Sequence, residues 1–349
     1  MEEIIPFPKY YDWAQLNLTE NICHDFLPCH ENIKPIAELW YGTHIHGKAC
    51  IKSTSEYLDD YLCRKMNYQF KLLSIGKPLS IQVHPSPDIA EKLHQQDPIQ
   101  FPDGVGKYEM AMALSDDTVV FCGIRPFQEI QYEIQTYFEG IFDLQMHNNH
   151  HVIRDLFINV LEMNNETYQK LRKRLFFEKK YELFRYLEYH FPNDRGCALC
   201  VLFLNEIHLK KYDTVYIPTG TIHCYIQGNL FESMASSDNV IRIGLTTKHK
   251  NYTAFFQYSH FHCSNPYQYL NTTKDICPIL PKLRLVRENS TVVLSIPKKD
   301  SYFFIVMLEG ECICNKKLFL RQRQVYLIKN STQVFQFEHS NYYSFMIVI

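Results

Sequence analysis

A chain of 349 residues, 46% hydrophobic and 21% charged, has room for two or three domains with ample core and the composition of an ordinary globular protein. A net charge of -2 and a pI near 6.8 argue against nucleic acid or anionic membrane as a partner, so any anion site must be a local cluster of Lys and Arg. The opening Met-Glu-Glu-Ile-Ile-Pro-Phe-Pro lacks the basic flank and apolar run of a signal peptide, and no stretch is long enough to span a bilayer; the twelve cysteines are therefore expected as mostly reduced thiols of a cytoplasmic protein.

Residues 1 to about 35 show little periodicity. Pro35 to His44 mixes apolar and polar residues as a strand edge does, with Trp40 as its anchor and Glu38 as its carboxylate. His44-Ile-His46 would put two imidazoles on one strand face, but no third ligand stands near them. Tyr57–Lys65 is expected as a short helix. Lys71–Val83 reads as two strand pieces around the turn signal Gly76-Lys-Pro78. Ile89, Ala90 and Leu93 fall at helical spacing within Pro87–His94. Phe101-Pro-Asp-Gly104 then forms a loop that delivers Lys107 and Glu109, and Met110–Ile124 is strand-like.

From Pro126 to about His190 the period changes to that of helices, with Leu171, Leu175, Phe184 and Leu187 among the repeating apolar positions, and three or four helices are expected. His147-Asn-Asn-His-His151 lies between two of them and reads as a solvated loop. Gly196–Leu204 is a continuous apolar run, expected as a buried strand. Its Cys197 and Cys200 have no second Cys pair to make a zinc site, so structural thiols are expected. Asp213-Thr-Val-Tyr-Ile-Pro-Thr-Gly-Thr-Ile-His223 places a tight Pro/Gly turn between two strands, with His223 on the second and Tyr225 on the same face. From about Phe256 the chain is β-rich, with candidate strands at Thr291–Ser295, Tyr302–Leu308 and Tyr342–Ile349 and turns at Glu309-Gly-Glu and Lys329-Asn-Ser.

One stretch stands out chemically. In Ser80-Ile-Gln-Val-His84, Gln82 and His84 are two apart, so a strand projects both to one face and sends Ile81 and Val83 to the other. Glu109 and His223 would complete a set of two imidazoles, one carboxylate and one amide oxygen. Such a set suits zinc or another divalent first-row metal.

The wording around these residues resembles type I mannose-6-phosphate isomerase (phosphomannose isomerase). Lys71-Leu-Leu-Ser-Ile, Leu79-Ser-Ile-Gln-Val-His-Pro, Lys107-Tyr-Glu-Met-Ala-Met-Ala-Leu, Phe121-Cys-Gly-Ile-Arg-Pro and Ser237-Asp-Asn-Val-Ile-Arg-Ile-Gly-Leu-Thr-Thr-Lys248 carry it, in the family's order, from Tyr11-Asp-Trp13 to about Lys248. The Asp213–His223 stretch also resembles the second motif of the cupin superfamily.

The resemblance implies a mainly β fold with a helical insert. Residues 1–125 and 196–255 would form a catalytic cupin-like domain, residues 126–195 an α-helical domain, and residues 256–349 a second cupin-like jelly roll. It implies one zinc ion per chain on Gln82, His84, Glu109 and His223. The implied reaction interconverts mannose 6-phosphate and fructose 6-phosphate through an enediol, by proton transfer between C1 and C2, within carbohydrate metabolism that feeds GDP-mannose biosynthesis. Asp238, Arg242 and Lys248 take the catalytic positions, with the identity of the base left open. Trp13, Glu38, Lys71, Ser80, Lys107, Tyr225 and Glu232 take substrate-binding positions, and a monomer is expected. On a strand, Asp238 and Arg242 would point the same way, four residues apart.

The chain departs from the family wording at four places. Tyr108 replaces a proline before Glu109, Thr247 replaces a proline before Lys248, Ala14 replaces the glycine after Trp13, and Tyr212 stands where a glycine usually precedes Asp213. Lost prolines loosen the backbone beside Glu109 and Lys248. The alternative to an isomerase is a catalytically weak cupin that binds or senses sugar phosphate. Retention of all four ligands with Lys107, Asp238, Arg242 and Lys248 favours the enzyme.

Overall fold

The computed structural model describes residues 1–27, 34–142, 150–178, 181–270, 280–288, 291–295, 302–329, 334–338 and 342–348. The described chain is mainly β, with short helices at Ile22–Phe26 and Leu58–Leu62 and the longer ones gathered between residues 87 and 258. It divides into two compact units, Met1–Ser74 with Lys274–Ile349, and Ile75–Thr273.

In the first unit, two sheets pack face to face. One runs in the order Leu283–Glu288, Tyr343–Val348, Tyr302–Glu309, Val325–Lys329, Glu2–Ile5 and Cys50–Ile51, and the other in the order Val292–Ser295, Val334–Glu338, Cys312–Cys314 and Leu318–Leu320. Phe303 against Phe335 (ring centroids 5.0 Å) and Phe337 against Phe345 (4.6 Å) join them across one aromatic core. The three expected C-terminal strands are present, at Val292–Ser295, Tyr302–Glu309 and Tyr343–Val348. The Glu309-Gly-Glu turn has Gly310 at φ +63°, whereas the Asn and Ser of the second expected turn lie outside the described residues.

The N-terminal segment is more ordered than its sequence suggests. Glu2–Ile5 and Phe7–Lys9 are strands and Ile22–Phe26 is a short helix. Pro8 disguises the second strand. It is tolerated there because Phe7–Lys9 pairs only with Glu38–Tyr41 and so leaves one edge unpaired.

The second unit is built on one long strand, His223–Ala235. Its first residues pair with Thr118–Ile124 on one side and with Ile81–Val83 on the other, and its far half pairs with Glu109–Ala113. Ile241–Gly244 extends the sheet beyond Ile81–Val83, Leu204–Leu209 extends it beyond Thr118–Ile124, and Thr214–Ile217 pairs with Glu109–Ala113. The expected helix near Ile89 spans Pro87–Gln96. The helical tract holds Phe127–Tyr137, His150–Glu162, Asn165–Phe177 and Glu182–His190. Residues 147–149 of the His-rich tract lie outside the described residues. Arg125, at the end of its strand, ties into this tract through Glu133 (2.5 Å), whose carboxylate also accepts the Tyr181 hydroxyl at 2.7 Å.

Gly196–Phe203 is a helix, not the expected strand. Every residue in it is buried, so no polar face marks a period, and a uniformly apolar run of this length reads the same in either state. Cys197 and Cys200 are free thiols packed in the core, and burial pushes both well up. Among the described residues, no helix is long and apolar enough to cross a membrane.

Candidate metal centre

Ile81 and Val83 are buried in the core shared with the helices, so Gln82 is turned to the opposite face of the sheet. Two cross-strand pairings meet at Gln82: His223 lies opposite it on one side and Arg242 on the other. Directly paired residues share a face, so His223, Gln82 and Arg242 form a row across three strands. Glu109 enters from the start of Glu109–Ala113, opposite Met234 and Ile217. The Pro218-Thr-Gly220 turn aims His223 into the site. Gly220 has φ +75°, and its N–H donates to the His84 carbonyl at 2.8 Å, which ties the two histidine segments together.

His84, Glu109 and His223 are each 1% exposed. One ligand atom from each lies within 4.8 Å of the other two. His84 Nε2 is 3.2 Å from Glu109 Oε1, His223 Nε2 is 3.3 Å from Glu109 Oε2, and the Gln82 amide nitrogen is 3.3 Å from His223 Nε2. Four ligands held ~2.0–2.1 Å from one zinc ion lie ~3.3 Å from each other, so these separations match the edges of a tetrahedral shell.

The hydrogen bonds around the histidines give the same answer. His84 Nδ1 donates to the Asn239 carbonyl and His223 Nδ1 donates to the Thr221 carbonyl, both at 2.9 Å. Each ring therefore carries its lone pair on Nε2, the atom turned toward Glu109. His84 Nε2 and Glu109 Oε2 are buried without a hydrogen-bond partner. Acceptors crowded on one point in a dry interior call for a cation between them. The Gln82 oxygen accepts from the Ser80 hydroxyl at 3.1 Å. The two ends of an amide are alike in shape, so turning it over brings the oxygen to the same point. The residues present fit a zinc ion.

The electrostatics keep the ligands in ligating form. Burial pushes the His84 imidazolium down to about 4, so the ring is neutral near pH 7. Burial opposes ionisation of Glu109, but the imidazoles and Lys107 around it hold its carboxyl well below the usual range. Lys107 Nζ is 2.9 Å from Glu109 Oε1, and Lys107 is itself buried. Burial, then Glu232 and Glu109, push the Tyr225 phenol well up, so it stays protonated beside the His223 ring, 6.1 Å between centroids.

The other candidate residues are placed less uniformly. Arg242 is half-buried in the row described above. Asp238 lies in the turn before Ile241–Gly244, so its relation to Arg242 is not that of two residues on one strand, and the strand-based expectation is corrected. The strand starts three residues later because the Ser237 hydroxyl accepts the Asn239 backbone N–H locally, while the Asn239 side chain donates to the Asp103 and Val105 carbonyls of a distant segment. Lys248 is exposed in the bend that follows Ile241–Gly244. Trp13, Glu38 and Lys71 belong to the other unit. There Lys71 Nζ lies 3.5 Å from Glu38 and 4.4 Å from the Trp40 ring centroid, Glu38 accepts the Trp40 indole N–H, and Trp13 stacks on Tyr11. The carbonyls of Asn239 and Thr221 escaped sequence reading, because a backbone oxygen has no sequence signature.

A family model described as the catalytic domain of type I phosphomannose isomerase matches residues 3–127. The mannose-6-phosphate isomerase of Ogataea parapolymorpha is 31% identical over 297 residues, covering 71% of this chain and 70% of that protein. The Saccharomyces cerevisiae mannose-6-phosphate isomerase is 28% identical over 301 residues, covering 70% and 69%. In fold, the chain is similar to mannose 6-phosphate isomerase from Salmonella typhimurium solved with its substrate (f6p) and zinc. The TM-score is 0.84 at 21% identity, over 100% of this chain and 99% of the other.

Proposed function

This chain belongs to the type I mannose-6-phosphate isomerase family, and on that premise we propose that it is a zinc-dependent aldose-ketose isomerase interconverting mannose 6-phosphate and fructose 6-phosphate. The observation that carries this is the convergence of Gln82, His84, Glu109 and His223, with both imidazole lone pairs turned to one buried point.

Zinc bound there supplies Lewis acidity for the charge that develops on sugar oxygens. Glu109 is the only anionic ligand, so the centre keeps net positive charge. Lys107, held on Glu109, adds a second fixed positive charge beside it. Arg242 offers its planar fork to an oxyanion of the substrate, and its cross-strand place opposite Gln82 supports that role. Proton transfer between C1 and C2 falls to Asp238 or Lys248, on the resemblance of their motif. Ser80, Tyr225 and Glu232 serve as sugar contacts. The same role for Trp13, Glu38 and Lys71 rests on the resemblance of their motifs.

The finer architecture belongs to the same proposal. It comprises a catalytic cupin-like jelly roll from residues 1–125 and 196–255, a helical insert at 126–195 and a second jelly roll at 256–349. The helices between Phe127 and His190 support the insert, and the packed C-terminal strands, with Glu2–Ile5 and Cys50–Ile51 added to their sheet, support the second roll. A cytoplasmic monomer supplying GDP-mannose biosynthesis completes the reading.

A coupled assay on mannose 6-phosphate tests it. Zinc-loaded protein should form fructose 6-phosphate, and a chelator should abolish turnover that added zinc restores. Protein that holds zinc and binds the sugar phosphate without turnover would instead be the weak, sensing cupin.

A further inference from the structure

The loop Phe101–Tyr108 between Pro87–Gln96 and Glu109–Ala113 does more than deliver Lys107 and Glu109. Its Asp103 carboxylate collects four donors. Oδ1 accepts the Ser237 hydroxyl (2.8 Å), the Asn239 side-chain N–H (2.9 Å) and the Val105 backbone N–H (3.0 Å), while Oδ2 accepts the Asp238 backbone N–H (3.1 Å). The Asn239 amide also reaches the carbonyls of Asp103 (2.7 Å) and Val105 (3.2 Å), and the Asn239 backbone N–H closes on the Ser237 hydroxyl at 3.1 Å. Ser237 and Asn239 are 0% exposed.

This turn lies between the end of His223–Ala235 and the start of Ile241–Gly244, outside both strands. The direction of its carbonyls is therefore set by these side-chain bonds rather than by a sheet ladder. One of those carbonyls is that of Asn239, which accepts His84 Nδ1–H.

We propose that Asp103 is a positioning residue of the metal centre. By holding the Ser237–Asn239 turn, it keeps the Asn239 carbonyl on His84 Nδ1 and so keeps the His84 lone pair on Nε2, where a metal needs it. The same carboxylate fixes the backbone of Asp238, one of the two candidate bases. The proposal rests on the metal reading above. It requires a carboxylate specifically: an amide of the same shape keeps one acceptor oxygen and turns an NH2 group toward donors.

The test compares wild type, Asp103→Asn and Ser237→Ala. Zinc affinity is measured by competition with a chromophoric chelator, and the visible spectrum is recorded with cobalt in place of zinc. Asp103→Asn should bind zinc ~10–100-fold more weakly, the usual range for loss of a group that orients a ligand. Its cobalt bands should shift, and kcat should fall further than KM rises. Ser237→Ala removes one donor to the carboxylate and the acceptor of the Asn239 N–H but leaves the other three donors on Asp103, so it should move affinity and spectrum the same way by a smaller factor.

Variants that keep wild-type zinc affinity and the wild-type cobalt spectrum overturn the proposal. If Asp103→Asn does not fold, Ser237→Ala decides alone on the same two readouts. Wild-type protein that takes up no zinc overturns the metal reading together with this one, which separates the two failures.

Discussion

Arg242 stands directly opposite Gln82 in the antiparallel pair of Ile81–Val83 with Ile241–Gly244. That register puts a guanidinium on the ligand face of the sheet, in the same row as His223. Arg242 is only half-buried, so its loss should spare the fold. Arg242→Ala is expected to lower kcat/KM by ~10²-fold or more, the scale of removing one preorganised charge from a developing oxyanion. Steady-state kinetics with a thermal melt checks this; unchanged turnover would take Arg242 out of the chemistry.

His84 contributes one lone pair, a third of the His/Glu ligand group that it forms with Glu109 and His223. His84→Ala should reduce zinc affinity by more than the ~10–100-fold expected for loss of an orienting partner. Metal analysis after dialysis should find about one zinc per wild-type chain and little in the variant. Equal metal in the two proteins would defeat the ligand assignment.

Gly220 is constrained twice. Its φ is +75°, and a Cβ there would sit 2.7 Å from the His260 ring. The exposed ring can give way, so the backbone term dominates. Gly220→Ala should cost ~1–2 kcal/mol, the usual cost of a side chain in the left-handed region. Because the Gly220 N–H holds the His84 carbonyl, zinc affinity should fall as well. A denaturant melt and a chelator competition measure the two effects, and a stability loss with unaltered zinc affinity would show that the turn does not brace His84.

The residues that made the site legible in the sequence are those whose chemistry is carried by side chains at strand spacing. Gln82 and His84 announced one face, Ile81 and Val83 the other, and the core bears this out. The Pro218-Thr-Gly220 turn before His223 was equally plain, because only a few residues suit such a turn. What stayed hidden had no periodic signal. Gly196–Phe203 is apolar on every side, so burial erased the difference between helix and strand. Asp238 sits outside the strand because side-chain bonds from Asp103, Ser237 and Asn239 compete with the ladder, and these form only once distant segments meet.

Tyr212 shows how a departure visible in the sequence acquires an energy only from the backbone. Lys210 to Asp213 form a turn closed by the Asp213 N–H on the Lys210 carbonyl at 2.8 Å, and its third residue, Tyr212, has φ +76°. That position in a type II turn favours glycine. The conformation is enforced from outside the turn, since the Tyr212 N–H also donates to the Ala113 carbonyl at 2.7 Å. A side chain held there costs ~1–2 kcal/mol. The Lys211 ammonium, 5.2 Å from the centroid of the half-buried Tyr212 ring, returns part of that, on the order of 1 kcal/mol. Greater freedom of glycine in the unfolded chain offsets a further part of the gain. Tyr212→Gly should therefore raise stability by up to ~1 kcal/mol, read as a higher denaturant midpoint at unchanged slope. Zinc affinity and turnover should stay at wild-type values, because the substitution acts on the turn that precedes Thr214–Ile217 and removes no ligand. A midpoint that falls would mean that contacts of the tyrosine ring outweigh the backbone strain at this position.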